Sequence, residues 1–589
     1  MRDSQAVIIQ GKAAISGSAH GKLLVSHVEL SFWGGVDPWT GKIMDSHHDL
    51  VGHTFAGKIL AIPSGRGSCA SSGVIMELLL SGRGPAALIL QRPDDILAFG
   101  AIVSEEVFGK SIPIVIIGKD EYSRLQTGAH ATVNGDRIEV GDEPSVRSRA
   151  NGAISSVQDR EPQGLHLSRQ DQSYLDGQHG KAAQVAMRII LRMARLQNAE
   201  RLFSISRVHI DGCVYTGPAS LKFAEQFRDW GGKVAIPTTL NAISVDKQHW
   251  RSQGVAVAFG EPAERLGDTY VAMGAQPTFT CAPYLLDDPP EAGEQIGWAE
   301  SNAVVFANSI LSARTMKYPD YLDACIALVG RAPFVGCHTD DGRRPELQVK
   351  VAFPSRIDDS FYPLLGYQVG KLAGNRIPFV MGLEGLAPTL DNLKAFSAAF
   401  ATTSSAPMFH IGGITPEAPG FASMLAGLEC QSIGADELLR VWETLNSADH
   451  CGVDLVSFGN PHFSLSEFET LAALCRDRKK NPGVEMIITS GRNVYQKALD
   501  TGAVGILRDF GARFMVDTCW CQIEAPVIPP SSSTIMTNSA KYAHYGPGLT
   551  TKQFRFGSFA NCVDAACSGS APKGPPLWLS DGSHDAARP

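Results

Sequence analysis

The stretch Pro63-Ser64-Gly65-Arg66-Gly67-Ser68-Cys69-Ala70-Ser71-Ser72-Gly73 decides how the amino-terminal part of this 589-residue chain folds. It follows the apolar run Lys58-Ile59-Leu60-Ala61-Ile62 and precedes Val74-Ile75-Met76-Glu77-Leu78-Leu79-Leu80, so it spells strand, glycine turn and helix start. Glycines at 65 and 67 permit positive φ and close approach of the backbone to a ligand. The N–H groups that open the following helix offer positive potential to an anion or an alkoxide. Ser68 then stands where its hydroxyl is most easily deprotonated. On spacing alone the same residues also read as an ordinary Gly/Ser turn with Ser68 or Ser71 as N-cap, so the rest of the chain must decide between the two.

Around this turn, residues 1–142 read as one small β/α domain. Its strands are expected at Ala6–Ile9, Lys22–Val25, Lys58–Ile62, Ala87–Leu90 and Pro113–Ile117, and it closes on a hairpin through Asn134-Gly135-Asp136. Residues 143–170 lose apolar periodicity and read as a linker. A large lobe, 171–568, opens on an amphipathic helix over Gly180–Leu196. It continues with apolar strands at Leu202–Ile205, Val234–Pro237, Val453–Ser457, Glu485–Ile488 and Arg513–Val516, separated by helical segments. That rhythm predicts an α/β fold of parallel βαβ units. Residues 569–589, rich in Pro, Gly and Ser, read as a disordered tail.

Composition narrows the class. A hydrophobic fraction of 44%, a charged fraction of 19% and a net charge of −8 suit a globular protein and supply no basic patch for nucleic acid. No apolar segment has the length of a signal peptide core or a membrane span, so a cytoplasmic enzyme with no membrane partner, monomeric or a small homo-oligomer, is expected. Twelve cysteines without a Cys-x-x-Cys pair point to buried thiols, not to a disulfide scaffold. An extended Asp517–Cys521 is expected to leave only one of Cys519 and Cys521 facing any one site.

In a parallel sheet the ligand cleft lies beyond the carboxyl ends of the strands. Polar motifs fall there: Thr238-Thr239-Leu240-Asn241, Gly459-Asn460-Pro461-His462, Thr489-Ser490-Gly491-Arg492 and Asp517-Thr518-Cys519. Cys281 and Cys519 could meet across such a cleft and bind a soft metal, or each could be an apolar core residue. Glu300-Ser301-Asn302 places polar groups at the start of an apolar helix. Arg314, Arg492 and Lys541 are candidate carboxylate clamps or surface ion pairs, and His410 and His462 are site groups or core histidines.

Taken together these motifs resemble the aconitase X family over nearly the whole chain. The carriers are Gly65-Arg66-Gly67-Ser68, Val234 to Asn241, Thr280-Cys281-Ala282-Pro283-Tyr284, Glu300-Ser301-Asn302, Asn308-Ser309 with Ala313-Arg314-Thr315, Gly413-Ile414-Thr415-Pro416-Glu417, Pro461-His462, Asp517-Thr518-Cys519 and Asn538-Ser539-Ala540-Lys541. The resemblance implies a small swivelling domain joined to a large catalytic lobe and settles Ser68 as the catalytic base. It also implies an iron–sulfur cluster, here [2Fe–2S], with Cys281 and Cys519 as ligands. The archaeal members' third ligand, a cysteine in Gly-Cys-Pro-His, is replaced by Asn460, which leaves Asn460, Cys337, Cys451, Cys521 or solvent to complete the centre.

The implied substrate is a small hydroxy amino acid. Because both parts are fused in one chain, dehydration of cis-3-hydroxy-L-proline to Δ1-pyrroline-2-carboxylate is expected. The alternatives are dehydration of mevalonate 5-phosphate or another hydroxy acid, or a non-catalytic iron-responsive protein. Arg66, Gly67, Thr239, Asn241, Ser301, Asn302, Arg492 and Lys541 are the expected substrate-binding residues.

Overall fold

The computed structural model describes residues 7–141, 164–352 and 356–580. They divide into two compact units: Met1–Ile205 with Tyr215–Ile236 and Tyr318–Val335, and Ser206–Val214 with Pro237–Lys317 and Gly336–Pro589. The first unit therefore takes in residues that the sequence places in the large lobe.

The amino-terminal unit is organised by an eight-stranded mixed sheet. Its centre is parallel, with Ser18–Val25, Ile59–Ile62, Ala87–Leu90 and Ile114–Ile116 side by side. The hairpin His130–Asn134/Arg137–Gly141 pairs antiparallel, as its Asn-Gly turn predicts. Ile59–Ile62 and Ala87–Leu90 are buried on both faces, which is why they read as continuous apolar runs without alternation. Helix Ser71–Ser81 follows the first of these and ends on Gly82 at φ 71°. Helices Lys181–Leu196, Pro218–Asp229 and Leu322–Val329 belong to the same unit.

The second unit holds three parallel sheets. Val208–Ile210 lies between Thr238–Leu240 and Gly297–Trp298. Leu347–Val351 lies between Pro378–Met381 and Cys430–Ile433, with His410–Ile411 at an edge. The third sheet has the order Arg513–Val516, Glu485–Ser490, Leu455–Phe458, Thr534–Thr537, Gln553–Phe556. The chain starts in the middle of that sheet, winds outward one way and returns to wind the other. The strand ends beside Leu455–Phe458 thus diverge and leave a crevice.

Three expectations are corrected. Leu202–Ser204 is antiparallel to Arg331–Pro333 and is no part of a βαβ unit. Val234–Pro237 is not a strand; the strand is the following Thr238–Leu240, whose β-branched threonines fit a pleat while Pro237 lacks an N–H for a ladder. The carboxy-terminal segment is ordered as far as residue 580. Trp578 is buried against Phe361 and donates from Nε1 to Asp358 Oδ1 at 3.1 Å, so one aromatic anchor outweighs the Pro/Gly-rich composition. The expected linker ends before helix Arg169–Leu175, whose start is fixed by a Ser168/Asp171 capping box. Residues 143–163 and 581–589 lie outside the described residues.

Candidate active site

Ser68 belongs to the amino-terminal unit. Gly67 takes φ 80°, and Ser68 is 6% exposed. The following helix has Ala70 at its N-cap and no side-chain cap, so the N-cap reading of Ser68 and Ser71 is set aside. Instead, the Ala70 N–H donates to Ser68 Oγ at 3.3 Å, and Ser71 Oγ accepts from Trp33 N at 3.1 Å. The turn is braced from behind by Asp94, whose Oδ2 accepts from Gly65 N at 2.8 Å and from Ser64 Oγ at 3.2 Å. A Cβ on Gly65 would lie 2.5 Å from that oxygen, so a side chain there would have to push aside the carboxylate that braces the turn. Arg66 is held by Asp45 at 2.5 Å and by the Glu29 carbonyl at 3.1 Å.

In the second unit the strand ends bring a thiol cluster together. Cys281 follows the three-stranded sheet, and its Sγ accepts from His462 N at 3.3 Å. Cys519 follows Arg513–Val516 and hydrogen-bonds both Cys281 and Cys521, and the bond to Cys281 pushes its thiol pKa up. Cys521 is buried, and its thiol is likewise held neutral, by Cys519 first and by burial next. The expectation that Cys519 and Cys521 face apart is overturned. A 3₁₀ turn over Trp520–Gln522 replaces the extended segment, and residues two apart on a strand would in any case share a face. Trp520 anchors the turn by donating from Nε1 to Phe458 O at 2.7 Å.

Asn460 follows Gly459, which takes φ 96°, and its Nδ2 donates to Cys521 Sγ at 3.2 Å. His462 is a fully buried core group as well as a site neighbour. Its Nε2 donates to Thr518 O at 2.8 Å while Nδ1 lies 3.1 Å from Thr280 Oγ1, and burial lowers its pKa to about 4, so the ring is neutral.

A buried ion pair lies within electrostatic reach of the sulfurs. Lys541 Nζ sits 2.9 Å from Glu300 Oε1, with both side chains at most 10% exposed. Burial alone would strip the ammonium of its proton, but Glu300 and then the thiols hold its pKa well above the usual value. Burial likewise opposes charge on Glu300, yet Lys541 and Asn302 keep its pKa below the usual carboxylate value. Asn302 also accepts from Tyr284 OH at 2.9 Å and donates to Cys281 O at 3.1 Å, tying the pair to the cysteine loop. Ser301 is buried at the start of the same helix.

The remaining candidates arrive already partnered. Arg492 makes a two-pronged ion pair with Asp517, Nη2 to Oδ2 at 2.7 Å, and lies over the Phe279 ring. Thr239 Oγ1 meets His209 Nδ1 at 2.8 Å, and Asn241 bonds Asp211. Arg314 pairs with Asp340, His410 donates to Arg343 O at 2.8 Å, and Cys337 packs with Ile377 and Met408. Sequence reasoning passed over the Glu300 carboxylate as a partner for Lys541. A buried lysine's need for a counter-charge was the available signal.

Among the described residues no three His, Cys, Asp or Glu side chains close on one point as a single-ion site requires. A row of three thiols, Cys281 and Cys521 buried and Cys519 half-buried, with N–H donors aimed at two of the sulfurs is nevertheless a donor set for soft iron–sulfur chemistry, not for hard, oxygen-seeking cations.

A serine turn on one unit and a thiol crevice on an α/β unit are the marks of an enzyme. Comparison supplies the family: residues 8–140 match the aconitase X swivel domain, 164–341 the first domain, 345–443 the second and 453–568 the third, and the chain belongs to the aconitase X family. It is 54% identical over 569 residues to cis-3-hydroxy-L-proline dehydratase of Hypocrea jecorina, covering 95% of each chain. It is 51% identical over 579 residues to the Pseudomonas aeruginosa enzyme of the same name, covering 98% of this chain and 99% of that one. The crystal structure of Thermococcus kodakaraensis aconitase X in its holo form covers 68% of this chain and all of its own, at 30% identity and a TM-score of 0.62. No helix among the described residues is long and apolar enough to cross a membrane.

Proposed function

We propose that this chain is a hydro-lyase that removes water from cis-3-hydroxy-L-proline to give Δ1-pyrroline-2-carboxylate. The observation that carries the reading is 51–54% identity, along nearly the full length of both partners, to dehydratases named for that substrate. The elimination must take the proton from C2 and expel the hydroxyl from C3; the enamine so formed tautomerises to the cyclic imine.

Ser68 is assigned the C2 proton. Its hydroxyl is not spent on capping a helix, and the Ala70 amide that points at Oγ would stabilise an alkoxide there. Cys281 and Cys519 are assigned to an iron–sulfur centre, [2Fe–2S] in this reading, which when bound supplies a Lewis acid for the departing hydroxyl. Lys541 and Arg492 are assigned to the substrate carboxylate, with Gly67 and Arg66 shaping the serine turn. Glu300 holds Lys541 in place and is itself held by Asn302, Ser301 is assigned with them to the substrate pocket, and Thr239 and Asn241 fix the neighbouring strand end.

The test is an anaerobic assay with cis-3-hydroxy-L-proline and mevalonate 5-phosphate side by side. Formation of Δ1-pyrroline-2-carboxylate from the first and no turnover of the second is expected. Turnover of mevalonate 5-phosphate alone would overturn the assignment.

A further inference from the structure

We propose that Glu77 is a positioning residue for Ser68: its carboxylate caps helix Pro218–Asp229 and so fixes, through helix Ser71–Ser81, where the serine turn stands. The inference rests on the reading of Ser68 as the base that takes the C2 proton, and deepens it.

Glu77 lies within a helix that is buried from Ser71 to Leu79, and is itself only 4% exposed. A carboxylate is costly in such a place unless it is partnered. Its partner is the Ala219 N–H, which donates to Oε2 at 2.7 Å from the first turn of helix Pro218–Asp229. That helix has glycine at its N-cap and no side-chain cap of its own. Glu77, 142 residues away, therefore satisfies an amide that the local sequence leaves open, at the positive end of the helix. Burial raises the carboxyl pKa, and the Ala219 N–H and then Lys222 on the same helix draw it back. The fit is close: Gly217 takes φ 143°, and a Cβ there would run into the Glu77 carboxylate.

The end of helix Ser71–Ser81 next to Ser68 is held by the same neighbourhood. Asp320 N donates to Cys69 O at 3.4 Å, and Ser72 Oγ reaches Cys69 O at 3.0 Å and Asp320 O at 3.3 Å. Tyr321, fully buried and at φ 76°, packs on Phe223 of helix Pro218–Asp229 with ring centroids 4.6 Å apart. It closes over Gly73, where a Cβ would lie 2.9 Å from the tyrosine hydroxyl. Residues 8–140 match one domain of the family and 164–341 another, so the serine turn is braced from outside its own domain and within one compact unit. Because Ser71–Ser81 is one continuous helix, its tether at Glu77 sets the height of the turn at its start. Proton transfer needs Ser68 Oγ within hydrogen-bond reach of the C2 proton, and a displacement of about 1 Å costs about a hundredfold.

Turnover of cis-3-hydroxy-L-proline by the full-length enzyme, matched in iron content, provides the test. Wild type, Glu77→Ala, Glu77→Gln, Ser68→Ala and Ser68→Ala/Glu77→Ala are compared, with far-ultraviolet circular dichroism confirming folding. Glu77→Ala is expected to lose about tenfold to a hundredfold in kcat with KM little changed. Glu77→Gln, whose amide oxygen still accepts from the Ala219 N–H, should recover most of that loss. On the Ser68→Ala background Glu77→Ala should cost nothing further, because a residue that acts through Ser68 has nothing left to position. A purely structural role would lower both backgrounds by the same factor. That result would overturn the inference, as would wild-type kcat in Glu77→Ala or no recovery in Glu77→Gln. If Glu77→Ala does not fold, Glu77→Asp, which keeps the charge and shortens the reach, takes its place under the same criteria. A wild-type chain that turns over no cis-3-hydroxy-L-proline, or Ser68→Ala at the wild-type rate, would overturn the functional reading itself, and the role of Glu77 with it.

Discussion

Gly459 shows how little freedom a single position has where a strand hands over to the site. Its φ of 96° belongs to the left-handed region, and a Cβ there would collide with the Thr489 carbonyl oxygen. Gly459→Ala is expected to lower the unfolding free energy by about 1–3 kcal/mol and to displace Asn460. Urea denaturation measures this, and an unchanged midpoint would show that the turn relaxes freely. The candidate residues were legible in the sequence because strand-end polar groups are conspicuous after apolar runs. Their partners were not: nothing local to Lys541 announces Glu300, 241 residues away, or to Arg492 announces Asp517.

At the level of elements, helix Leu390–Thr403 is tied to the site loop by one buried lysine. Lys394 Nζ donates to His462 O at 3.1 Å and pairs with Glu467, on helix Leu465–Cys475. Burial pushes the Glu467 carboxyl up to about 7, with Lys394 opposing. Removing the lysine alone strands a buried acid, so Lys394→Met should cost about 3–5 kcal/mol, whereas Lys394→Met with Glu467→Leu should recover most of the loss. A double-mutant cycle by thermal and urea unfolding tests the coupling, and strictly additive losses would contradict it. Element prediction succeeded where pattern and length agreed, as in the helix Lys181–Leu196 and the strands Ile59–Ile62 and Arg513–Val516. It failed at Val234–Pro237, where an apolar run was mistaken for a strand although the pairing register is carried by the threonines after it.

For the whole molecule, the α/β class was legible from alternating strands and helices. The division into compact units was not, because Tyr215–Ile236 and Tyr318–Val335 join the first unit through contacts distant in sequence. Acid sensitivity follows from the buried histidines. His338, fully buried, has its pKa lowered from 6.5 to about 3 by burial first and then by Arg343 and Arg314. Between those values the unfolded chain binds a proton that the folded chain refuses. Stability should therefore be intact above pH 6.5 and fall as the pH drops toward 3, with a slope of about 1.4 kcal/mol per pH unit from this residue. His338→Gln should flatten that part of the urea-midpoint profile, and an identical slope would remove His338 as its cause.

The proposed elimination depends on removal of the C2 proton by Ser68. Its most direct test is the turnover of cis-3-hydroxy-L-proline by wild type and Ser68→Ala, prepared anaerobically and matched in iron content. A loss of about two to four orders of magnitude in kcat at equal iron is predicted; near-wild-type turnover by Ser68→Ala would contradict the account.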